Sequence, residues 1–400
     1  MQRTLLIGCI ALALSGCGTD SDTTLTSTQT GVFLDSPVAG LNYRTASISA
    51  GVTNENGEFK YQDGETVTFY IGDLTFPPVT ATGQVTPADL GGGLSTTTTV
   101  NILQLLQSLD QDGNPDKGIT ILDTAQTAFV GTGLDITSST FDTSVSAILT
   151  SIGKTLVTED TAKAHFTSSL KGQLKGSWLF SEGEGKRNIL TFFDDNHYII
   201  VHEHSDTNDP IPGNQTAGSA EYGTYAFDLA TNKLSLTVIE ETDNSGGLCD
   251  DFGSAIWDIK VTNTDLSITL SDDDDDDDDE EVTVVFQKVK NADNPLVGAW
   301  LYKENYDDSD DSNDNDNILT ILSDSEYVIV HTRNDYVDSG VLGEFAPYSY
   351  SGTTFTIGNP TVNADGDGGL SDIGGSANVT VSDTELSFNG AESFSFTRIQ

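Results

Sequence analysis

One stretch of this chain occurs twice, and the repeat constrains the fold more than any other feature of the sequence. The first copy is Asn188–His202, NILTFFDDNHYIIVH, and the second is Asn317–His331, NILTILSDSEYVIVH. A Gly-x-Trp motif precedes each copy, and a Gly-Gly-Leu motif follows each. The repeating unit is therefore of whole-domain size and is not a solenoid repeat. We assign the two units to residues 173–290 and 293–400.

Both units have the pattern of short β-strands. Runs of β-branched and aromatic residues alternate with Gly, Asn and Asp turn residues, and neither unit has a helical period. Sequential strands with short turns favour an up-and-down antiparallel barrel, with a sandwich as the alternative. The predicted strands of the first unit are 188–193, 197–202, 223–227, 233–239, 256–261, 266–270 and 282–289.

A tryptophan near the start and a basic residue near the end mark both units. Trp178 and Trp300 lie in the Gly-x-Trp motifs, and Lys288 and Arg398 lie near the ends of the units. This arrangement resembles the lipocalin-like (calycin) barrels. The resemblance implies that each basic side chain packs across the ring of its Trp and closes one barrel end, a cation–π contact of about 0.5–2 kcal/mol. A generic β-sandwich with an ordinary core Trp is the alternative.

The first residues have the features of a bacterial lipoprotein signal. A charged start precedes an apolar run that is too short to span a bilayer as a helix. The run ends in Leu-Ser-Gly-Cys, a lipobox in which Cys17 is acylated and becomes the mature N-terminus; plain cleavage is the alternative. Residues 1–16 would be the signal peptide and residues 17–30 a flexible tether. Gly18, by resemblance to Gram-negative sorting rules, indicates the outer membrane, whose lipid is then a partner.

The charge balance excludes some partners. The chain has 62 acidic and 17 basic residues, a net charge of −45. Such a charge argues against nucleic acid and anionic surfaces, and it suits a medium whose salt or divalent cations screen self-repulsion. Of the three cysteines, Cys9 leaves with the signal and Cys17 carries lipid, so Cys249 stands alone and no disulfide framework is expected.

Residues 31–172 predict a β-sandwich with a small helical block. Asn-Gly and Asp-Gly turns separate strand-like runs, and residues 51–61 resemble a turn of carboxypeptidase-regulatory-like (transthyretin-like) sandwiches. The whole region resembles the N-terminal part of bacterial surface lipoproteins and adhesin-like proteins, which implies an envelope location and no known chemistry. Apolar periodicity predicts helices over 97–109, 141–152 and 159–170, the last capped by Thr158.

An acidic loop after the first of these helices is a candidate calcium site. Asp110, Asp112, Asn114 and Asp116 offer oxygen ligands at alternate positions, an arrangement that suits Ca²⁺. The loop is not an EF-hand, because Pro115 occupies the position where that loop needs Gly. An acidic turn held by Asx hydrogen bonds is the alternative.

For two other features, a binding site and an ordinary solvated or structural role are both considered. His202 and His204 share one face of a predicted strand at a spacing that can chelate zinc, but Arg333 replaces the second His in the other copy and no third ligand is evident. These histidines are therefore interpreted as exposed or barrel-lining polar residues. The run Asp272–Asp279 is interpreted as a solvated hairpin loop, with loose cation or cationic-partner binding as the alternative.

The sequence thus predicts a mainly β, non-enzymatic lipoprotein of the outer membrane. No serine elbow, Walker loop, HExxH or dinucleotide fingerprint is present. We expect a binding or adhesion module with an unknown envelope or extracellular partner. A carrier of a small apolar ligand inside a barrel is the alternative, and a hydrolase with a hidden site is the third hypothesis. A carrier needs an apolar cavity of several hundred Å³, whereas a binding module can have filled barrels.

Overall fold

We describe the protein from a computed structural model. The description covers residues 27–183, 186–205, 216–228, 233–243, 246–249, 254–270, 282–304, 315–333, 340–366, 368–389 and 393–399.

The N-terminal module consists of small sheets made of short strands. Strands β5, β1 and β9 form one sheet, β4, β3, β6 and β7 form another with β8 beside β6, and β2 pairs with β10. In β6 the buried residues Val67, Phe69 and Ile71 alternate with more exposed ones, the period expected of a strand with one buried face. The strands are β1 (Thr28–Phe33), β2 (Val38–Ala39), β3 (Asn42–Arg44), β4 (Gly51–Val52), β5 (Glu58–Gln62), β6 (Thr66–Ile71), β7 (Leu74–Thr75), β8 (Val79–Thr80), β9 (Gln84–Val85) and β10 (Ile119–Thr120).

Helices pack on these sheets and share one core with them. The helices are α1 (Pro87–Gly91), α2 (Thr97–Leu109), α3 (Asp123–Ala128), α4 (Phe141–Ser151) and α5 (Glu159–Leu174). Phe33 and Phe69 of the sheets and Leu105 of α2 belong to the same hydrophobic cluster. The Thr158 hydroxyl accepts a hydrogen bond from Thr161 N at the start of α5. The predicted helices are present, while α1 and α3 were not predicted because they are too short to show a period.

The first repeat unit is a closed antiparallel barrel, barrel 1. Its strands follow one another in chain order, and the last pairs with the first. Trp178, Phe192, Tyr198 and Phe286 point into the lumen and are buried. The strands are β11 (Gly176–Gly183), β12 (Lys186–Phe192), β13 (His197–His202), β14 (Ala220–Asp228), β15 (Lys233–Glu241), β16 (Ser254–Val261), β17 (Asp265–Leu270) and β18 (Val282–Lys288).

The second repeat unit is a barrel of the same topology, barrel 2. It closes because β21 pairs with both β20 and β22, and β24 adds a short pairing to β22. The four-residue helix α6 (Leu370–Ile373) follows β24, although the sequence predicted no helix in either unit. The strands are β19 (Gly298–Glu304), β20 (Asn315–Ile321), β21 (Glu326–His331), β22 (Leu342–Ser351), β23 (Thr354–Ile357), β24 (Val362–Asn363), β25 (Ser376–Val381), β26 (Glu385–Asn389) and β27 (Phe394–Arg398).

The two barrels pack against each other through equivalent strands. Ile199 and Val201 of β13 point away from the lumen of barrel 1 and contact the matching side of barrel 2, where Val328 and Val330 lie. Hydroxyl groups cross the same interface, with 2.6 Å between Ser177 Oγ and Thr320 Oγ1. Because each barrel offers the same patch to the other, the pair is an internal counterpart of a twofold dimer.

An ion-pair group at the edge of this interface joins the barrels. Arg187 of β12 donates to Glu203 Oε2 at 2.6 Å and to Glu326 Oε2 of β21 at 2.9 Å. The guanidinium is largely buried, so its two carboxylate partners compensate for the loss of water.

The predicted mainly β fold with tandem barrels is confirmed. The first strand begins at Thr28, inside the segment predicted to be a flexible tether. Among the described residues, no helix combines the length and apolar character needed to cross a membrane.

Candidate functional site

Each barrel buries a histidine between an amide and a carboxylate. In barrel 1, His202 Nδ1 lies 2.6 Å from Asn188 Oδ1, and His202 Nε2 lies 3.0 Å from Asp243 Oδ2. The side chains of Asn188, His202 and Asp243 are fully buried. His202 ends β13 on the side of Tyr198 and Ile200, so the alternation of the strand aims it at the lumen.

A tyrosine–glutamate pair lies beside the histidine. The Tyr198 hydroxyl donates to Glu221 Oε1 at 2.6 Å, and the backbone N–H of Cys249 donates to Glu221 Oε2 at 3.0 Å. Glu221 belongs to β14, and its strand partner across the sheet is Glu241 of β15. One oxygen from each of Glu221, Glu241 and Asp243 lies within 4.8 Å of the other two. These three residues are called the acid cluster below.

Barrel 2 repeats the arrangement with equivalent residues. His331 lies between Asn317 Oδ1 and Asp365 Oδ2, the second at 3.1 Å, and Tyr327 donates to Glu344 Oε1 at 2.6 Å. Two of the equivalent positions carry different residues in the two copies. Asn363, the strand partner of Glu344, replaces Glu241, and Ser371 replaces Cys249.

Burial changes the acidity of these side chains. Burial, together with the charge of Asp243, raises the pKa of Glu221 to about 8. Burial and the neighbouring Glu221 carboxylate raise the pKa of Tyr198. In barrel 2 burial likewise raises the pKa of Glu344 and of Tyr327. Glu221 therefore holds a proton near neutral pH unless a cation takes its place.

A glycine in each copy permits the close approach of the two acids. Gly247 has φ +75°, and a Cβ there would lie 2.8 Å from an oxygen of Glu221 and from one of Asp243. A Cβ at Gly369 would likewise meet an oxygen of Glu344 and, at 3.1 Å, Oδ2 of Asp365. The repeated Gly-Gly-Leu motif thus has a physical reason, because a larger residue would push the carboxylates apart.

The opposite ends of the lumens hold the tryptophans. Lys288 Nζ lies 4.2 Å from the ring centroid of Trp178, and the guanidinium carbon of Arg398 lies 3.9 Å from that of Trp300. Each indole N–H donates to a backbone carbonyl four residues earlier, Leu174 or Leu296. Burial lowers the pKa of Lys288 to about 7. Near neutral pH, only a fraction of the Lys288 side chains therefore carries the positive charge that faces the Trp178 ring.

The acidic loop predicted to bind calcium uses its carboxylates as hydrogen-bond acceptors. Asp110 is buried and accepts from Asn114 N and from Thr120 N, both at 2.9 Å. Asp112 Oδ1 accepts from Asn114 N at 2.8 Å. Asp116 instead lies 3.0 Å from His165 Nδ1 of α5. The contacts are those of Asx turns, and a calcium ion in this loop stays a prediction.

His165 also contacts a serine next to a buried acid. Ser36 Oγ lies 3.2 Å from His165 Nε2, and Ser169 Oγ lies 3.3 Å from the same nitrogen. Asp35 is fully buried, accepts from Gln107 Nε2 at 3.0 Å, and has its pKa raised to about 8 by burial. His165, Asp116 and Gln107 line a cavity of about 670 Å³ between α2 and α5.

The structure adds no support for zinc binding by His202 and His204. His202 belongs to the hydrogen-bonded group above, whereas His204 follows the end of β13. Among the described residues, the acid cluster is the group in which three potential metal ligands of the His, Cys, Asp or Glu type converge, and it includes neither histidine. Cys17 and the run Asp272–Asp279 lie outside the described residues.

The outer wall of barrel 2 has a distinct surface. The outward positions of β22 after Pro347, and those of β23, β25, β26 and β27, carry hydroxyl and amide side chains, and Glu385 is the one charged residue among those that the structure describes there. We call this surface the hydroxyl wall. It comprises Ser349, Ser351, Thr354, Thr356, Ser376, Asn378, Thr380, Ser387, Asn389, Ser395 and Thr397.

Sequence reasoning missed most of these groups. It aligned His202 with His331 and Asn188 with Asn317 as equivalent positions, but it predicted no contact of these residues with Asp243 or Glu221. Polar residues that recur in both copies, at otherwise apolar strand positions, are the signal that could have identified the buried network. The sequence matches no family model, and a search of curated proteins finds no similar protein.

Proposed function

We propose that this chain is a cell-envelope lipoprotein that acts as a non-enzymatic binding or adhesion module, and that its hydroxyl wall contacts an uncharged, hydroxyl-rich polymer such as a neutral polysaccharide. The observation that carries the proposal is the composition of this wall. In a chain of net charge −45, an exposed face of five strands has one charged residue. Such a face can contact a neutral polymer without removing water from charged side chains.

The wall is also ordered before any partner arrives. Across the strands, Ser351 pairs with Thr354, Thr354 with Asn378, and Asn378 with Asn389, a row about 14 Å long. Neighbouring hydroxyls bond to each other, with 2.9 Å between Thr356 Oγ1 and Ser376 Oγ. Side chains held in this way lose little freedom on binding, which favours affinity.

The packing of the lumens supports a binding module over a carrier. In barrel 1, Trp178, Phe192, Tyr198 and Phe286 occupy the lumen, and in barrel 2 Trp300, Tyr327, Phe355 and Phe396 do so. These side chains are nearly or fully buried. They fill the space that a small apolar ligand would need, so the outer surfaces are the better candidates for binding.

Charge added to the hydroxyl wall tests the proposal. We expect Thr354→Glu/Asn378→Asp to weaken retention of the protein on crosslinked dextran beads at least tenfold, because the contact would then desolvate two carboxylates. The matched control is Thr269→Glu/Thr283→Asp, at cross-strand neighbours on the outer wall of barrel 1. Retention should persist in high salt, since the contact has no ion pairs. Equal losses in both variants, or retention abolished by salt, would remove the proposal.

A second candidate function, hydrolysis by a serine nucleophile, has one observation in its favour. Ser36, His165 and Asp116 follow one another at 3.2 Å and 3.0 Å, a hydroxyl beside a base that a carboxylate orients. The cavity of about 670 Å³ borders His165 and Asp116. Ser36 is 7% exposed, and it is not among the residues that line this cavity.

A fluorophosphonate probe separates the two candidates, because it labels only an activated serine. A hydrolase predicts labelling of the wild type, loss of labelling in Ser36→Ala, and retention in Ser169→Ala, whose hydroxyl contacts the same nitrogen. A wild type that takes up no label, or label that survives Ser36→Ala, leaves the binding module as the function.

A further inference from the structure

The acid cluster of barrel 1 brings three carboxylates together at one end of the lumen. Glu221 and Glu241 are partners across two strands, and Asp243 follows two residues after Glu241. Glu221 and Asp243 are fully buried, whereas Glu241 is partly open to solvent. Carboxylates this close repel one another when ionised, so the cluster needs protons or a cation.

One oxygen of Asp243 has no hydrogen-bond partner among the residues that the structure describes. Asp243 Oδ2 lies against His202, but Asp243 Oδ1 is buried and forms no hydrogen bond in the structure as described. The side chain of Asp243 is fully buried. A buried carboxylate oxygen in this situation costs free energy that a metal ligand bond would recover.

Barrel 2 has one carboxylate fewer at the equivalent place. Asn363 stands where barrel 1 has Glu241, and it pairs with Glu344 in the same register. Ser371 donates both its N–H and its hydroxyl to Glu344, whereas Cys249 donates its N–H to Glu221. The two copies therefore share the histidine group and differ in the number of carboxylates.

We propose that the acid cluster, Glu221, Glu241 and Asp243, binds one hard divalent cation, with Ca²⁺ as the best match. Carboxylate oxygens are the ligands of hard cations, and Ca²⁺ accepts irregular ligand sets that water completes. Mg²⁺ requires near-ideal octahedral geometry, which two strands and a loop do not supply. The ion would connect β14, β15 and the loop that carries Gly247, and would hold this end of barrel 1 together. This site is separate from the loop at Asp110.

Two aromatic residues make the site measurable. Tyr198 donates to Glu221, and Trp257 Nε1 donates to Leu248 O in the adjoining loop at 2.9 Å. Either ring can sensitise the luminescence of Tb³⁺, a surrogate of Ca²⁺. The full chain, freed of metal by a chelator, is titrated with Tb³⁺ in 150 mM NaCl, about the physiological ionic strength, and Ca²⁺ is then added as a competitor.

We expect sensitised emission that Ca²⁺ displaces, and at least tenfold weaker binding in Glu241→Asn, which gives barrel 1 the residue of barrel 2. Glu241→Gln is the second variant, because it keeps the size of the side chain. Asp112→Asn is the matched control for the acidic loop and should bind as the wild type does. Circular dichroism in chelator confirms that each variant is folded.

Three outcomes would overturn the proposal. Folded Glu241 variants that bind as tightly as the wild type place the ion elsewhere. Loss of binding in Asp112→Asn assigns it to the acidic loop. Displacement by Zn²⁺ but not by Ca²⁺ indicates a softer site.

Discussion

At the scale of single residues, the repeat keeps its buried polar side chains and varies their charge. Asn, His, Asp, Tyr and Glu occupy equivalent places in both lumens, and most of their polar atoms form hydrogen bonds to one another. Buried polar groups are tolerated when they are bonded in this way, and they then fix one arrangement of the barrel end. The exchanges of Glu241 for Asn363 and of Cys249 for Ser371 make barrel 1 the more acidic copy.

The raised pKa of Glu221 predicts a pH dependence of stability. Its folded-state pKa is about 8, against 4.5 for the ordinary side chain. Between these values the folded state holds more protons than the unfolded state, so the free energy of unfolding falls as pH rises, by up to about 1.4 kcal/mol per pH unit. The stabilising contribution is complete below about pH 4.5 and is lost as pH rises through about 8.

Urea unfolding at pH 5, 6, 7 and 8 in chelator measures this slope. We expect Glu221→Gln to flatten the profile relative to the wild type, because its side chain does not titrate. Glu159→Gln, in the exposed first turn of α5, is the control and should keep the wild-type slope. Parallel profiles for the wild type and Glu221→Gln would contradict the burial argument.

At the scale of elements, β13 and β21 are buried on both faces. One face of β13 carries Tyr198 and Ile200 into its own lumen, and the other carries Ile199 and Val201 into the contact with barrel 2. This explains why both strands are almost continuously apolar, whereas β15 alternates between buried and more exposed residues. The repeated stretch is thus the interface as well as part of two barrel walls.

A charge on the outer face of β13 is expected to destabilise the protein strongly. Val201→Asp buries an unpaired carboxylate between the barrels and should cost at least about 3 kcal/mol. Thr237→Asp, on the exposed face of β15, should change stability by less than about 0.5 kcal/mol. Urea midpoints of both variants provide the comparison. If Val201→Asp were as stable as Thr237→Asp, the contact between the barrels would not form in solution.

At the scale of the whole molecule, a strongly acidic chain keeps its charge away from two surfaces. The apolar contact between the barrels and the hydroxyl wall have few charged groups, whereas the net charge of the chain is −45. Charge at that density keeps a protein soluble and separate from other anions. The hydroxyl wall, where Glu385 is the one charged residue described, is therefore the part of barrel 2 that we propose for close contact.

The lipobox predicts where this molecule is held. We expect Cys17→Ser to prevent acylation and to move the protein from the outer-membrane fraction to the soluble fraction, because several acyl chains at one cysteine anchor a protein firmly. Cell fractionation with metabolic labelling by a radioactive fatty acid measures both effects. Wild-type protein that takes up no label and is extracted without detergent would refute the anchor.

The sequence by itself determined the local and repeated features of this protein. Alternating apolar residues specify strands, Thr158 specifies the start of α5, and two copies of one pattern specify two domains of one fold, because these signals depend on neighbours along the chain. Only the tertiary structure decided which groups meet. His202 and Asp243 are separated by 41 positions, and Ser177 and Thr320 by 143. Barrel closure and the contact between barrels bring them together, and neither is encoded in any single stretch of sequence. The physical reason is that strand period fixes which side chains share a face, while the packing of whole barrels fixes what each face meets.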